Sequence, residues 1–264
     1  MNPTELREKS ELANRILEND TPYLKDKNRI YSLFLSESTS FTQDIVEQQL
    51  TIIDSYYSTN MSKRYYGIEQ VAESIVKVSN NLKELELIFS NYKVNPHDYP
   101  PITKLFDANY GYTKIGKEFG HARSLISKYA YFVTHFNFPI YDSIVKEVYQ
   151  SLHDKKLPEK EFPDFLMAMQ QLLISSNVEN YNKLDNLLWL VGKILRGNYS
   201  LILRKDKYLR LVSKIDGIGD LKSVEIDEKI MKFSNENIDN LSDIFTNDQI
   251  AMIKYCRSLI KIAN

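Results

Sequence analysis

The sequence predicts an all-α fold of about ten to twelve helices. Three observations predict it. Apolar residues recur at three- and four-residue spacing through most of the chain, and no stretch shows the strict alternation of a half-buried strand. Only eight glycines and eight prolines interrupt 264 residues. With no internal repeat, low-complexity tract or Pro- or Ser-rich linker, residues 1–264 are expected to form a single compact helical module of two packed lobes.

The elements follow in order. Leu6, Leu12, Ile16 and Leu17 mark a packing helix over 4–18, which Asn19-Asp20-Thr21-Pro22 ends. Thr42 is placed to cap a helix over 41–57 carrying Ile45, Val46, Leu50, Ile53 and Tyr57. A second helix, over 63–78, carries Tyr66, Ile68, Val71, Ile75 and Val78. Between them lies a polar loop, 58–60, flanked by Tyr56-Tyr57 and Tyr65-Tyr66. Such rings either line a base-binding surface and wedge into a duplex or, more commonly, pack between helices. A shorter apolar run over 82–89 precedes a loop fixed by the three prolines of 94–101, and 102–106 resumes the helix. Beyond residue 148, the spans 162–174 and 184–195 are amphipathic, with Trp189 among Leu187, Leu188 and Leu190 either a wall of an aromatic pocket or, more commonly for such a position, a core residue. The span 199–212 mixes apolar residues with Arg204, Lys205, Lys207 and Arg210. Asp216-Gly217-Ile218-Gly219 then breaks the chain before helices over 221–233 and 245–262.

Composition removes several classes of function. The first residues are polar with no apolar run behind them, so no signal peptide is expected, and no stretch approaches the roughly 20 apolar residues of a membrane span. A cytoplasmic protein without a membrane partner follows. One cysteine, Cys256, makes no internal disulfide and excludes a four-thiolate zinc or iron–sulfur site. No Walker loop, dinucleotide fingerprint, metal-spaced histidine pair or nucleophile elbow is present, so neither a metal nor another cofactor is expected. The net charge is −1, yet residues 111–214 hold 16 basic against 10 acidic side chains, while the flanking segments are acidic. A near-neutral chain with one basic face remains a reasonable ligand for a phosphate backbone.

That basic third contains the stretch around which the chain is organised, residues 114–148, within a region 111–152. After Gly120, residues Ala122, Leu125, Ile126, Tyr129, Ala130, Phe132, Val133 and Phe136 cover more than half of a deeply buried helix. His121, Arg123, Ser124, Lys128 and Tyr131 fall on its remaining surface. Backbone N–H groups at a helix start bind phosphate, and Lys114, Lys117 and Arg123 would add charge around them. The helix ends before Pro139, and Asp142 then stands at an N-cap position ahead of Ile144, Val145, Val148 and Leu152. By itself Asp142 is a capping residue.

The arrangement around it is more specific. Residues 112–142 resemble the helix-hairpin-helix Gly/Pro-Asp superfamily of DNA base-excision glycosylases, in which a hairpin clamps the DNA backbone, a buried helix follows, and a loop presents the catalytic aspartate. Gly120 precedes Asp142 by 22 positions, and Phe138-Pro139-Ile140-Tyr141-Asp142-Ser143-Ile144-Val145-Lys146 is similar to that loop in the adenine-mismatch members. The match covers about 40 residues. Upstream, Ile45-Val46-Glu47-Gln48-Gln49 is similar to the apolar-Gln-Gln segment that supplies pocket residues, which makes Gln48 a candidate beside Phe138 and Tyr141. The resemblance implies Asp142 as the catalytic carboxylate. Lys114, Lys117, Gly120, His121, Arg123, Ser124 and Lys128 are then the candidate DNA contacts, and a monomer needs no partner but double-stranded DNA.

Two departures narrow the expectation. Glu118-Phe119-Gly120 stands where the hairpin usually has Gly-apolar-Gly, so an altered clamp is expected. Members that also cleave the backbone carry a lysine two residues after the last hairpin glycine, where this chain has Ala122. The resemblance therefore implies a monofunctional enzyme that uses water; Lys128, nearly two turns along the helix, would have to reach back to substitute. Loss of a base builds positive charge on the deoxyribose, which a desolvated carboxylate stabilises while it orients water, and the base must first be flipped into an aromatic pocket. The turn Ile215 to Ser223 matches the hairpin consensus better than Gly120 does, but no Pro-x-x-Asp loop follows it. Two other functions fit the same residues: a DNA-binding protein in which Asp142 only caps a helix, and an α-helical protein-interaction module. The sequence does not identify the base.

Overall fold

The computed structural model describes residues 3–19, 21–35, 41–219 and 221–262; Asp20 and Asp220, which belong to two of the expected turns, lie outside them. The all-α expectation is met. Among the described residues there are thirteen α-helices, four short 3-10 turns and no strand beyond three isolated β-bridges. No described helix is long and apolar enough to cross a membrane.

The helices are α1 (Pro3–Glu18), α2 (Pro22–Tyr31), α3 (Gln43–Tyr57), α4 (Gly67–Val78), α5 (Leu82–Tyr92), α6 (Pro100–Asp107) and α7 (Arg123–Val133). They continue with α8 (Ser143–His153), α9 (Phe162–Ser175), α10 (Tyr181–Leu195), α11 (Lys205–Ser213), α12 (Ser223–Asn237) and α13 (Asn247–Ile262). Helix α2 is the element that periodicity missed. Its sequence is mostly polar, and the Thr21-Pro22 pair, read as a stop, is equally a start signal. Thr21 accepts the Leu24 N–H, and Pro22 occupies the first turn, where its missing donor costs nothing.

Helices α3 to α7 and α9 pack together as one group, whereas α1, α8, α10 and α13 form a second, with α2 on α1. The buried side chains of both belong to one continuous core. In the first group Phe106, Phe138 and Phe162 form an aromatic stack, with ring centroids of Phe106 and Phe162 3.7 Å apart and nearly parallel, and Phe89 packs edge-on against Phe106 and Phe138. In the second, α8 crosses α10 closely at Gly192, where a Cβ would lie 2.3 Å from Ile144 Cγ2. Because α7 belongs to one group and α8 to the other, residues 134–142 cross between them.

Ahead of α7, residues 109–121 form a long β-like hairpin rather than a tight turn at Gly120. Phe119 N–H donates to Gly111 O at 2.9 Å and Thr113 N–H to Lys117 O at 2.7 Å, which leaves Lys114 to Lys117 at the exposed tip. Gly111 is required here. Its φ is +78°, and a Cβ would lie 2.6 Å from Arg64 Cβ. Gly120 has neither a positive φ nor a close neighbour, so nothing local demands glycine there.

Candidate active site

A cavity of about 600 Å³ opens between the two helix groups, within the ~300–1,000 Å³ range of small-ligand sites. Tyr23, Asp26 and Lys27 reach it from α2, Tyr56 and Tyr57 from α3, and Ser124 and Lys128 from α7. Asp142 and Ile144 face it at the start of α8, and Asp185, Trp189 and Lys193 from α10. The loop 58–60 closes one edge, and Arg196 and Leu201 stand at another.

Asp142 leaves extended backbone to start α8, and its two oxygens do different things. Oδ1 accepts the Val145 N–H at 2.9 Å, a normal N-cap bond. Oδ2 faces Lys128 Nζ at 3.3 Å. Lys128 reaches back along α7, donates to Ser124 Oγ at 3.0 Å, and has a side chain only 3 % exposed, against 22 % for Asp142. Tyr57 lies beneath it, with Lys128 Nζ 5.5 Å from the ring centroid. The loop that carries Asp142 is pinned to the same helix, because Tyr141 N–H donates to Ser127 Oγ at 2.9 Å.

A second ionisable pair lies deeper. Burial pushes the Asp185 carboxyl up to about 6, an effect the Lys27 charge partly relieves and the Asp142 charge reinforces. Burial likewise brings the Lys27 ammonium down to about 8, against the pull of Asp185. Lys27 donates to Asn182 Oδ1 at 2.5 Å and lies 4.6 Å from the Phe136 ring centroid. Tyr23 donates to Asn186 Oδ1 at 3.1 Å and packs its ring 4.2 Å from that of Trp189. At the opposite edge Asp54 organises the loop. Burial opposes its ionisation, but hydrogen bonds from Thr59, Met61 N–H and Ser62 N–H outweigh burial and lower its pKa. Those bonds hold Ser58 and Asn60 at positive φ, a strained conformation for residues other than glycine.

No family model, curated protein or solved structure matches the chain. Function has to be argued from the cavity.

Of the residues singled out in the sequence, the structure brings Asp142, Ser124 and Lys128 together. Lys128 is sealed against Asp142, so it is not an open phosphate contact, and it does reach back along the helix. Arg123 is a second correction. It is buried, donating to Asp107 Oδ1 through Nε at 2.9 Å and through Nη2, to Glu159 O at 2.6 Å and to Lys160 O at 3.1 Å, so it is not an open phosphate contact. Around Gly120 and His121 the backbone carbonyls accept from Arg64, at 2.7 Å and 3.3 Å, and His121 itself is exposed. Lys114 and Lys117 are exposed at the hairpin tip, free to meet a ligand. The expected pocket walls lie elsewhere. Phe138 is buried in the aromatic stack, Tyr141 donates to Glu159 Oε2 at 2.5 Å, and Gln48 is exposed on a shallow surface groove. Gln49 is the glutamine that points inward, and it receives Tyr129 OH at 3.1 Å within the core.

Of the residues that do wall the cavity, Tyr57 and Trp189 were weighed in the sequence but read first as packing residues, whereas Tyr23, Lys27 and Asp185 were missed. One signal was available: Asp185 sits on the apolar stripe of α10, between Leu184 and Leu188, where an unpaired charge is costly.

Proposed function

We propose that the chain is a monofunctional DNA glycosylase that hydrolyses the N-glycosidic bond of a damaged, mispaired or modified base flipped out of double-stranded DNA. The observation that carries this reading is the Asp142 carboxylate at the wall of a cavity that also holds Trp189, Tyr57 and Tyr23. A flipped base stacks on such rings, and the carboxylate faces the sugar as positive charge develops there. Lys128 holds Asp142 in place and Val145 N–H fixes its second oxygen, so the group that orients the attacking water is preorganised. Ala122 supplies no amine, and the Lys128 ammonium is engaged by Asp142 and Ser124, which supports water as nucleophile. Asp185, deep in the cavity, offers a carboxyl that hydrogen-bonds a base edge. In this reading the protein is a cytoplasmic monomer.

One observation favours a second reading. Asp142 already has a complete structural role as the cap of α8, so a DNA-binding protein without catalysis needs no other explanation of that residue. Asp142→Asn separates the two, because asparagine still caps the helix. Wild-type protein is expected to release free base, detected by mass spectrometry, from phage, damaged or normal genomic DNA, and Asp142→Asn to lower that rate by about 10³-fold. Salt-dependent DNA binding with no base released from any of these substrates would leave the second reading. No such binding near ~0.1 M salt would remove both.

A further inference from the structure

Two sets of cations lie on segments that continue from the two groups of elements lining the cavity, α3–α7 and α10. On the α3–α7 side is the hairpin, tied to the loop region by the Tyr65 and Tyr112 backbone pair and carrying Lys114 and Lys117 at its tip. On the α10 side Lys193 lines the cavity, the chain passes Leu201 at the rim, and α11 follows with Lys205 and Arg210.

Several basic residues of this second region and just beyond it are already paired. Arg196 is held by Glu147 at 2.6 Å, Arg204 by Asp206 at 3.3 Å and Lys214 by Asp243 at 3.4 Å, while Lys207 donates to the Asp243 carbonyl. The side chains of Lys193, Lys205 and Arg210 make no hydrogen bond or ion pair among the described residues, and Lys193 Nζ lies 5.7 Å from the Trp189 ring centroid. Burial, and then the Arg196 charge, hold the Lys193 ammonium below its usual range, so that side chain gains from a nearby anion. Leu201 and Leu209 are 38 % and 53 % exposed between these cations, an arrangement in which apolar groups meet sugar rings and cations meet phosphates.

We infer that residues 193–210 form a second track for the DNA backbone, on the side of the flipped nucleotide opposite the hairpin. The inference rests on the proposed glycosylase reading for the position of the flipped nucleotide. A duplex that reaches the cavity would then meet Lys114 and Lys117 from the hairpin and Lys193, Lys205 and Arg210 from the second segment.

The test compares two charge reversals in the full chain, Lys205→Glu/Arg210→Glu and Lys114→Glu/Lys117→Glu, on a duplex with one tetrahydrofuran abasic analogue. The slope of log K against log salt is expected to fall in magnitude by about 1.8 for two lost phosphate contacts in the α11 variant. In hydroxyl-radical footprinting each variant loses protection on one side of the analogue, and the two sides differ. An unchanged slope and footprint in the α11 variant, or loss on the same side as the hairpin variant, would overturn the second track. A wild-type protein that protects no DNA overturns both this inference and the glycosylase reading. Two-sided protection without base release from any DNA overturns the reaction alone and upholds the track.

Discussion

Helix α7 carries two buried cations, five residues apart, that face opposite fates. Arg123 at its start directs four of its five N–H groups to Asp107 and to the Glu159 and Lys160 carbonyls, and the Phe162 N–H also turns to Asp107. The result is a closed knot that ties α6, α7 and the start of α9 together. Lys128 meets Ser124, Asp142 and the Tyr57 ring and lines the cavity together with its carboxylate partner; exposure does not separate the two pairs, because Asp107 is 21 % and Asp142 22 % exposed. Both are buried ion pairs on one helix. The difference teaches that burial alone does not mark a functional charge. A pair tied into neighbouring backbone away from any cavity is architecture, whereas a pair with one face on a cavity still has chemistry to offer.

The largest expected effect breaks the closed pair. Arg123→Met leaves Asp107 facing the Phe162 N–H without its cation and two carbonyls without donors. About 3–5 kcal/mol of stability should be lost, measured by urea unfolding. Base release per folded molecule should stay within a few-fold of wild type at a temperature where the variant is folded. A variant as stable as wild type would show that the pair contributes nothing net; a folded variant that has lost base release would mean that Arg123 acts on the reaction.

The Lys27–Asp185 pair extends the comparison to a carboxyl deeper than either. Its pKa is raised to about 6 by burial, so the folded state keeps a proton that the unfolded chain, titrating near ~3.9, releases earlier. The sign follows: this group's contribution to stability falls as pH rises from about 4 to about 6 and stays low above that. A shift of roughly two units corresponds to about 3 kcal/mol across that window. Asp185→Asn should flatten the curve, so that wild type loses more stability than the variant between pH 4 and pH 7. Parallel curves would mean that Asp185 titrates as an ordinary surface carboxylate. The Lys27 ammonium, lowered to about 8, acts in a separate window above pH 8.

Much of this molecule was legible in the sequence, and the exceptions share a cause. Helical periodicity located α1, α3, α4, α9, α10 and α13, because each has a wide apolar stripe. Asp142 was legible as an N-cap from Pro139 and the apolar residues behind it, and the structure adds the Val145 N–H bond. What spacing did not supply was side-chain direction. Gln48 and Gln49 are neighbours, yet one faces solvent and the other the core. Arg123 was assigned to the helix surface because α7 was taken to have an exposed strip; its packing between Asp107 and the α9 lead-in depends on contacts 16 and 36 residues away. The cavity walls came from α2, the loop 58–60 and α10, three elements that no local pattern joins. Ahead of α7 the extended pairing over 109–121 depends on Gly111 and Arg64, far apart in sequence, which no local pattern announces.

The smallest expected effect on stability comes from opening the cavity pair, and it decides whether the comparison of the two cations on α7 is sound. Lys128→Met removes the ammonium but leaves Asp142 with its Val145 N–H and with cavity water, so the stranded carboxylate is only partly desolvated. A cost of about 1–2 kcal/mol is expected, well below that of Arg123→Met. Base release should fall by about 10²-fold, because the carboxylate loses the group that holds Oδ2. A double-mutant cycle of Lys128→Met with Asp142→Asn separates these effects: the pair's coupling should be small in unfolding free energy and large in base release, since removing Lys128 matters little to chemistry once Asp142 is gone. If Lys128→Met costs as much stability as Arg123→Met and leaves base release untouched, the two cations do the same job. Asp142 would then be a capped and paired structural carboxylate that happens to border a cavity.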